Sequence, residues 1–244
     1  MIKDGLKTDE NTEILSFLMI GQSNMAGRGN VGEVEPIKNP DCLMLRMGRW
    51  QPLSEPVNPD RSIFSGRYRS GVCLASSFAD AAARALNKKI GLIPCADGGT
   101  KISEWLPGGL LFDHAVMTAK LAMRTSRLSG ILWHQGESDC CSDEDLNAHG
   151  ESFILVMREL RRELGIPELP IIVGELSENY DTSWRLLDRP VKMNSSYRRS
   201  CDELKVCAIA KSEGLTLKDD GIHFDSASLR QFGNRYFEAY KTLI

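Results

Sequence analysis

Short apolar runs at residues 14–20, 42–45, 90–94, 130–133 and 170–173, with a weaker sixth at 206–210, are separated by longer stretches of helical character. Each run is too short for an amphipathic helix and reads as a buried strand. Intervals of about 40 residues from strand to strand suit crossover connections rather than hairpins. Helical patterns lie at 72–87, rich in alanine, at 111–127, at 143–164 with a run of charge pairs, and at 226–240. The alternation predicts an α/β fold with a largely parallel sheet of about five strands. No linker or repeat interrupts it, so residues 1–244 read as one domain, with 1–12 as a flexible extension. The segments 46–71, with Pro52, Pro56 and Pro59, and 180–189 lack periodicity. They read as surface loops, the first long enough to wall a substrate cleft.

Composition narrows the partners. A net charge of -3, with no basic run longer than the pairs Lys88-Lys89, Arg161-Arg162 and Arg198-Arg199, argues against a nucleic-acid binder. The first apolar run is too short to span a bilayer and no small-residue cleavage site follows it, so neither a signal peptide nor a membrane anchor is expected. The cysteines number seven, with Cys140 and Cys141 adjacent. That odd count does not resemble a disulfide framework and points to a reducing cytoplasm.

The stretch FLMIGQSNMAGRGNVG, residues 17–32, admits two readings. Gly27, Gly29 and Gly32 match G-x-G-x-x-G, a pattern that lets a backbone approach a dinucleotide pyrophosphate. That reading needs its first glycine directly after the strand and a helix beginning inside the motif. Here the strand ends near Ile20, and Pro36 and Pro40 bar a helix after Gly32, so no dinucleotide cofactor is expected. The second reading makes Ser23 a nucleophile at the carboxyl edge of a parallel sheet, followed by a short helix whose amides favour negative charge. The plain alternative is a helix N-cap serine.

A nucleophilic serine needs a base and a carboxylate that orients it. Of His114, His134, His149 and His223, the last lies in LKDDGIHFD, where Asp220 in a D-x-x-H turn can reach Nδ1 and leave Nε2 for the serine. Asp219 and Asp225 are less suitably spaced. In PCADGGTKISEW, residues 94–105, Gly98 and Gly99 present backbone N–H groups suited to an oxyanion. In ILWHQGESD, residues 131–139, an apolar strand runs straight into His134, Gln135, Gly136 and Glu137, as at the edge of a site. Cys140, Cys141 and His149 match no common zinc spacing, and no metal is expected.

The four blocks GQSNMAG, DGGTKISEW, WHQGES and DGIHFD together resemble the SGNH hydrolase superfamily, in particular its carbohydrate esterase branch of sialate O-acetylesterase-like and acetylxylan esterase-like proteins. The resemblance implies a three-layer α/β/α, flavodoxin-like sandwich and a serine acetylesterase acting on acetylated sugars without a cofactor. It makes Ser23 the nucleophile, His223 the base and Asp220 the orienting carboxylate. It forms the oxyanion hole from the N–H of Ser23, that of Gly99, with Gly98 the alternative, and the side-chain amide of Gln135. Glu137 and His134 are supporting residues, Glu137 by bracing the loop or orienting a neighbour. Gln135 stands where the superfamily more often has asparagine. Trp50, Trp105 and Trp184, near the cleft loops in sequence, suit a sugar face more than a long acyl chain. The competing readings are a lipolytic or thioester-cleaving SGNH hydrolase and a silent carbohydrate-binding protein on the same fold.

Overall fold

The computed structural model describes residues 13–58, 70–178 and 188–244. The expected N-terminal extension, residues 59–69 of the first loop and residues 179–187 of the second lie outside the described residues. In chain order the elements are β1 (Ile14–Gly21), a one-turn helix α1 (Ser23–Ala26), β2 (Cys42–Arg46), β3 (Arg49–Pro52), α2 (Leu74–Leu86), β4 (Lys89–Pro94), α3 (Leu110–Ala122), β5 (Arg127–His134), α4 (Asp143–Leu164), β6 (Ile171–Gly174), α5 (Arg189–Leu204), β7 (Cys207–Ala210) and α6 (Ser226–Lys241). The sheet has 7 strands, not about five, in the order β3-β2-β4-β1-β5-β6-β7. Its pairs are parallel except β2–β3.

Two elements depart from the sequence reading. Strand β3 lies inside the expected loop, because Met47 at φ 51° and Gly48 at φ 74° turn the chain back on β2. A Met-Gly turn lacks the Asn-Gly or Asp-Gly signature of such hairpins, and the prolines nearby obscured it. Helix α5, RPVKMNSSYRRSCDEL, is mostly polar and shows only a thin apolar stripe of Met193, Tyr197, Cys201 and Leu204, all buried.

The apolar side chains divide into two cores, one on each side of the sheet. Along β1, Leu15, Phe17 and Met19 pack with α2 and α6, while Leu18 and Ile20 face α3, α4 and α5. This period-two alternation between two covered faces makes a three-layer sandwich. Fully burying side chains such as Phe17, Leu18 and Ile20 contributes about 1.5–3 kcal/mol each. Strand β1 lies at the centre, with β4 on one side and β5 on the other. The chain runs from β1 to β2 on one side and later passes from β4 across β1 to β5 on the other, so its winding reverses beside β1 and opens a crevice at the carboxyl end.

The thiols also differ from expectation in one pair. Cys201 and Cys207 are joined as a disulfide across the turn between α5 and β7, while Cys42, Cys73, Cys95 and Cys140 are free and buried and Cys141 is free and exposed. The pairing follows from the tertiary turn that brings a helix end beside a strand start. Among the described residues no helix is long and apolar enough to cross a membrane.

Candidate active site

At the end of β1 the backbone makes its tightest approach. Gly21 has φ 132°, and a Cβ there would sit 2.0 Å from the carbonyl oxygen of His134 in β5. Only glycine fits, and this lets Gln22 N–H bond His134 O at 2.8 Å and turns the chain sharply into α1. Ser23 is the first residue of that helix, 6% exposed at the crevice.

Ser23 Oγ lies 2.9 Å from His223 Nε2, and His223 Nδ1 lies 2.8 Å from Asp220 Oδ2. A carboxylate accepts only, so the imidazole proton sits on Nδ1 and the Nε2 lone pair faces the serine hydroxyl. Asp220 Oδ1 also accepts the N–H groups of Ile222 and His223, each at 2.9 Å. Burial pushes the Asp220 carboxyl up, but the hydrogen bonds from His223 and Ile222 outweigh it and hold the group below its ordinary range. Asp225 instead caps α6 by accepting Ser228 N–H at 2.7 Å. Asp219 is exposed.

The residue after the serine ties these parts together. Asn24 is fully buried, donates to Glu137 Oε1 at 2.7 Å and to Ile222 O at 3.3 Å, and accepts Phe224 N–H at 3.1 Å. Its carboxamide therefore grips the backbone on both sides of His223. Glu137 Oε1 also accepts from His134 Nε2 at 3.1 Å. Burial alone raises the Glu137 carboxyl, but His134 and the Asn24 amide outweigh it and bring it below the usual value. His134 is itself buried, with Nδ1 3.2 Å from the Tyr236 hydroxyl and its ring edge-on to Phe224 and Phe232. Glu137 and His134 therefore brace the histidine loop through Asn24 and do not face the crevice.

Gly98 and Gly99 follow β4 beside the serine. A Cβ on Gly98 would meet Arg28 Nη2 at 2.3 Å and Ser23 Cβ at 3.7 Å, so this glycine packs closely between the two side chains. Gly99 has φ 77° with open space around it. No acceptor among the described residues takes the N–H of Ser23, Gly98 or Gly99.

Gln135 does not match its expected place. It is fully buried, and its Nε2 donates to Thr100 O at 2.8 Å and to an Asp139 carboxylate oxygen, with Gln22 Oε1 at 3.3 Å. Its two amide hydrogens are thus engaged inside the protein, and neither is left to donate into an oxyanion hole. Three residues that the sequence reading passed over shape the site: Gln22, Asn24 and Asp139. Gln22 Oε1 faces the N–H groups of Gly136 at 3.3 Å and Ser138 at 3.4 Å, fastening the β5 loop to the Ser23 turn. The only sequence signal for them was that these side chains stand inside the quoted blocks.

The remaining expectations fall elsewhere. Gly27 and Gly29 run against the 71–73 backbone, with Gly29 paired to Val72, so their glycines serve a close chain crossing. Trp105 is buried in the core, and Trp50 lies over Gly91 with its Nε1 on Thr125, so neither is a sugar platform. Trp184 lies outside the described residues. Among the described residues no group of three or more His, Cys, Asp or Glu is arranged to hold a metal.

The model of the family described as carbohydrate esterase, sialic acid-specific acetylesterase, matches residues 13–242. A probable carbohydrate esterase of Arabidopsis thaliana is 32% identical over 245 residues, spanning 92% of this chain and 89% of that protein. Its crystal structure superposes with a TM-score of 0.80 over 95% of this chain and 98% of that one, at 28% identity. The crystal structure of NanS shares the fold at a TM-score of 0.75 and 16% identity, over 95% and 98% of the two chains. A carbohydrate acetylesterase from Xanthomonas citri does so at 0.62 and 17%, over 95% of this chain and 56% of that one. With a family match over residues 13–242, the chain belongs to the carbohydrate esterase, sialic acid-specific acetylesterase family.

Proposed function

We propose that this protein is a serine esterase that removes O-acetyl groups from acetylated sugars, of sialic acid or acetylxylan type, through an acetyl-enzyme. The observation that carries the reading is the hydrogen-bonded chain Ser23–His223–Asp220, drawn from segments 200 residues apart in sequence. Ser23 Oγ attacks the acetyl carbonyl as its proton passes to His223 Nε2, and the imidazolium is stabilised by Asp220. The tetrahedral oxygen is met by the backbone N–H of Ser23 and of the Gly98-Gly99 loop. Collapse sends the proton from Nε2 to the departing sugar oxygen. Water, deprotonated by the same nitrogen, then releases acetate and restores Ser23. No step calls for a metal or organic cofactor.

Ser23→Ala should lower kcat for p-nitrophenyl acetate by at least about 10⁴-fold. A fluorophosphonate probe should label the parent protein on Ser23 and leave the variant unmarked; full activity in the variant sinks the reading. Because Trp50 and Trp105 lie away from the crevice, the acyl preference is tested directly. Acetate release from O-acetyl sialic acids, acetylated xylo-oligosaccharides and simple acetyl sugars is compared with hydrolysis of an octanoyl ester. Preference for the octanoyl ester favours the lipolytic alternative.

A further inference from the structure

An oxyanion hole works only if its donors are held in place before the charge appears. Here the donor-bearing segment contains Gly98 and Gly99, the residues that hold a backbone least firmly. What fixes it lies just downstream. Thr100 O accepts from Gln135 Nε2 at 2.8 Å, and Ile102 N–H donates to both Asp139 oxygens, at 3.0 and 3.2 Å. Asp139 also accepts from the Gln135 amide. One carboxylate thus reaches the loop twice, directly at Ile102 and through Gln135 at Thr100.

The orientation of Gln135 is settled from its other end. His149 Nε2 lies 2.9 Å from Gln135 Oε1, and burial lowers the His149 pKa to about 3, so its ring is neutral and donates from Nε2. His149 Nδ1 has no hydrogen-bond partner among the described residues. The amide NH₂ of Gln135 is thereby turned toward Thr100 O and Asp139, with Gln22 Oε1 at 3.3 Å.

Asp139 is a costly residue to keep. It is fully buried with no ion-pair partner among the described residues, since the neighbouring Lys101 ammonium is bound to Asp145 at 2.7 Å. Burial pushes its carboxyl up to about 6. A packing role alone would be served more cheaply by an uncharged side chain.

We propose that Asp139 is a positioning residue for the oxyanion loop: acting through Gln135 and Ile102, it holds the Gly98 and Gly99 amides against the Ser23 adduct without touching substrate. The role rests on the reading of Ser23 as nucleophile. It gives the HQGESD block a function different from direct oxyanion donation by Gln135.

The test compares the parent protein with Asp139→Asn, Asp139→Ala and Gln135→Ala, using p-nitrophenyl acetate and phenylboronic acid, which forms a tetrahedral adduct on a nucleophilic serine. Loosened donors cost less than a deleted one, so kcat should fall about 10- to 100-fold with KM within about twofold. The inhibition constant of the boronate should rise in proportion to the loss in kcat/KM across the series, because both report binding of the tetrahedral state. Circular dichroism should stay that of the parent. Unchanged kcat in folded Asp139→Asn, or lost activity with unchanged boronate affinity, overturns the proposal. If Asp139→Asn does not fold, Gln135→Ala carries the same comparison. A parent protein that is active while its folded variants are equally fast defeats only the positioning role; a parent that takes up neither probe nor boronate defeats the serine reading itself.

Discussion

Gln22 and Asn24 flank Ser23, the proposed nucleophile, and both are buried. Their amides fasten the Ser23 turn to the β5 loop and to the histidine loop, so the GQSN block sets a serine between two organising amides. The block was readable from sequence, but the direction of each amide was not, because an amide follows whatever buried partners lie opposite it. Asp139 makes this measurable through pH. Its carboxyl rises from the ordinary 3.8 to about 6 in the folded protein. Between those values the folded state holds a proton that the unfolded chain has released, so this group's contribution to stability declines as pH rises through the window. Asp139→Asn removes that decline. Its melting temperature relative to the parent should therefore climb from pH 4 to pH 7, whatever fixed offset the lost hydrogen bonds impose. A flat difference in scanning calorimetry would place the Asp139 titration outside this range.

At the scale of elements, the turn from α5 to β7 carries the clearest conformational conflict. Lys205 and Val206 sit at φ 54° and 41°, an unusual conformation for lysine and more so for a β-branched residue. Arg161, on α4, holds the turn by donating to Leu204 O at 2.7 Å and to Lys205 O and Val206 O at 3.0 Å, with Leu169 O at 2.9 Å. These carbonyls lie at the amino ends of β6 and β7, on the opposite edge of the sheet from Ser23. Arg161→Met removes these donors from the buried carbonyls of Leu169 and Leu204 and should cost about 3 kcal/mol. In a chain of this size that is about 6–12 °C in melting temperature. Thermal melts check it, and any esterase activity at low temperature should persist because the proposed site is remote. Strand β1 and helix α2 were legible because their periodicities are strong and local. Helix α5 was not, because polar side chains cover most of its surface and only the packed molecule identifies its narrow inner face.

Over the whole molecule, the sheet order places β4 and β5 on either side of β1, so blocks far apart in sequence meet at one edge. Asn24 clasps the loop that carries His223, and α6 follows directly after it, capped by Asp225. The Ser23–His223–Asp220 chain should therefore survive as long as the sandwich does. In a urea titration, loss of esterase activity and loss of far-ultraviolet circular dichroism should share a midpoint; activity vanishing well earlier would reveal local opening of the 211–225 loop. The sequence by itself determined the alternating strands and helices, the position of Ser23 at a strand end and the pairing of Asp220 with His223, because these depend on local periodicity and short spacing. Tertiary structure alone decided that the sheet has seven strands, that the glycines at 27 and 29 serve a chain crossing, and that Gln135 spends its hydrogens on Thr100 and Asp139. Those outcomes turn on which distant backbone arrives within hydrogen-bonding distance, a quantity fixed only when the layers pack.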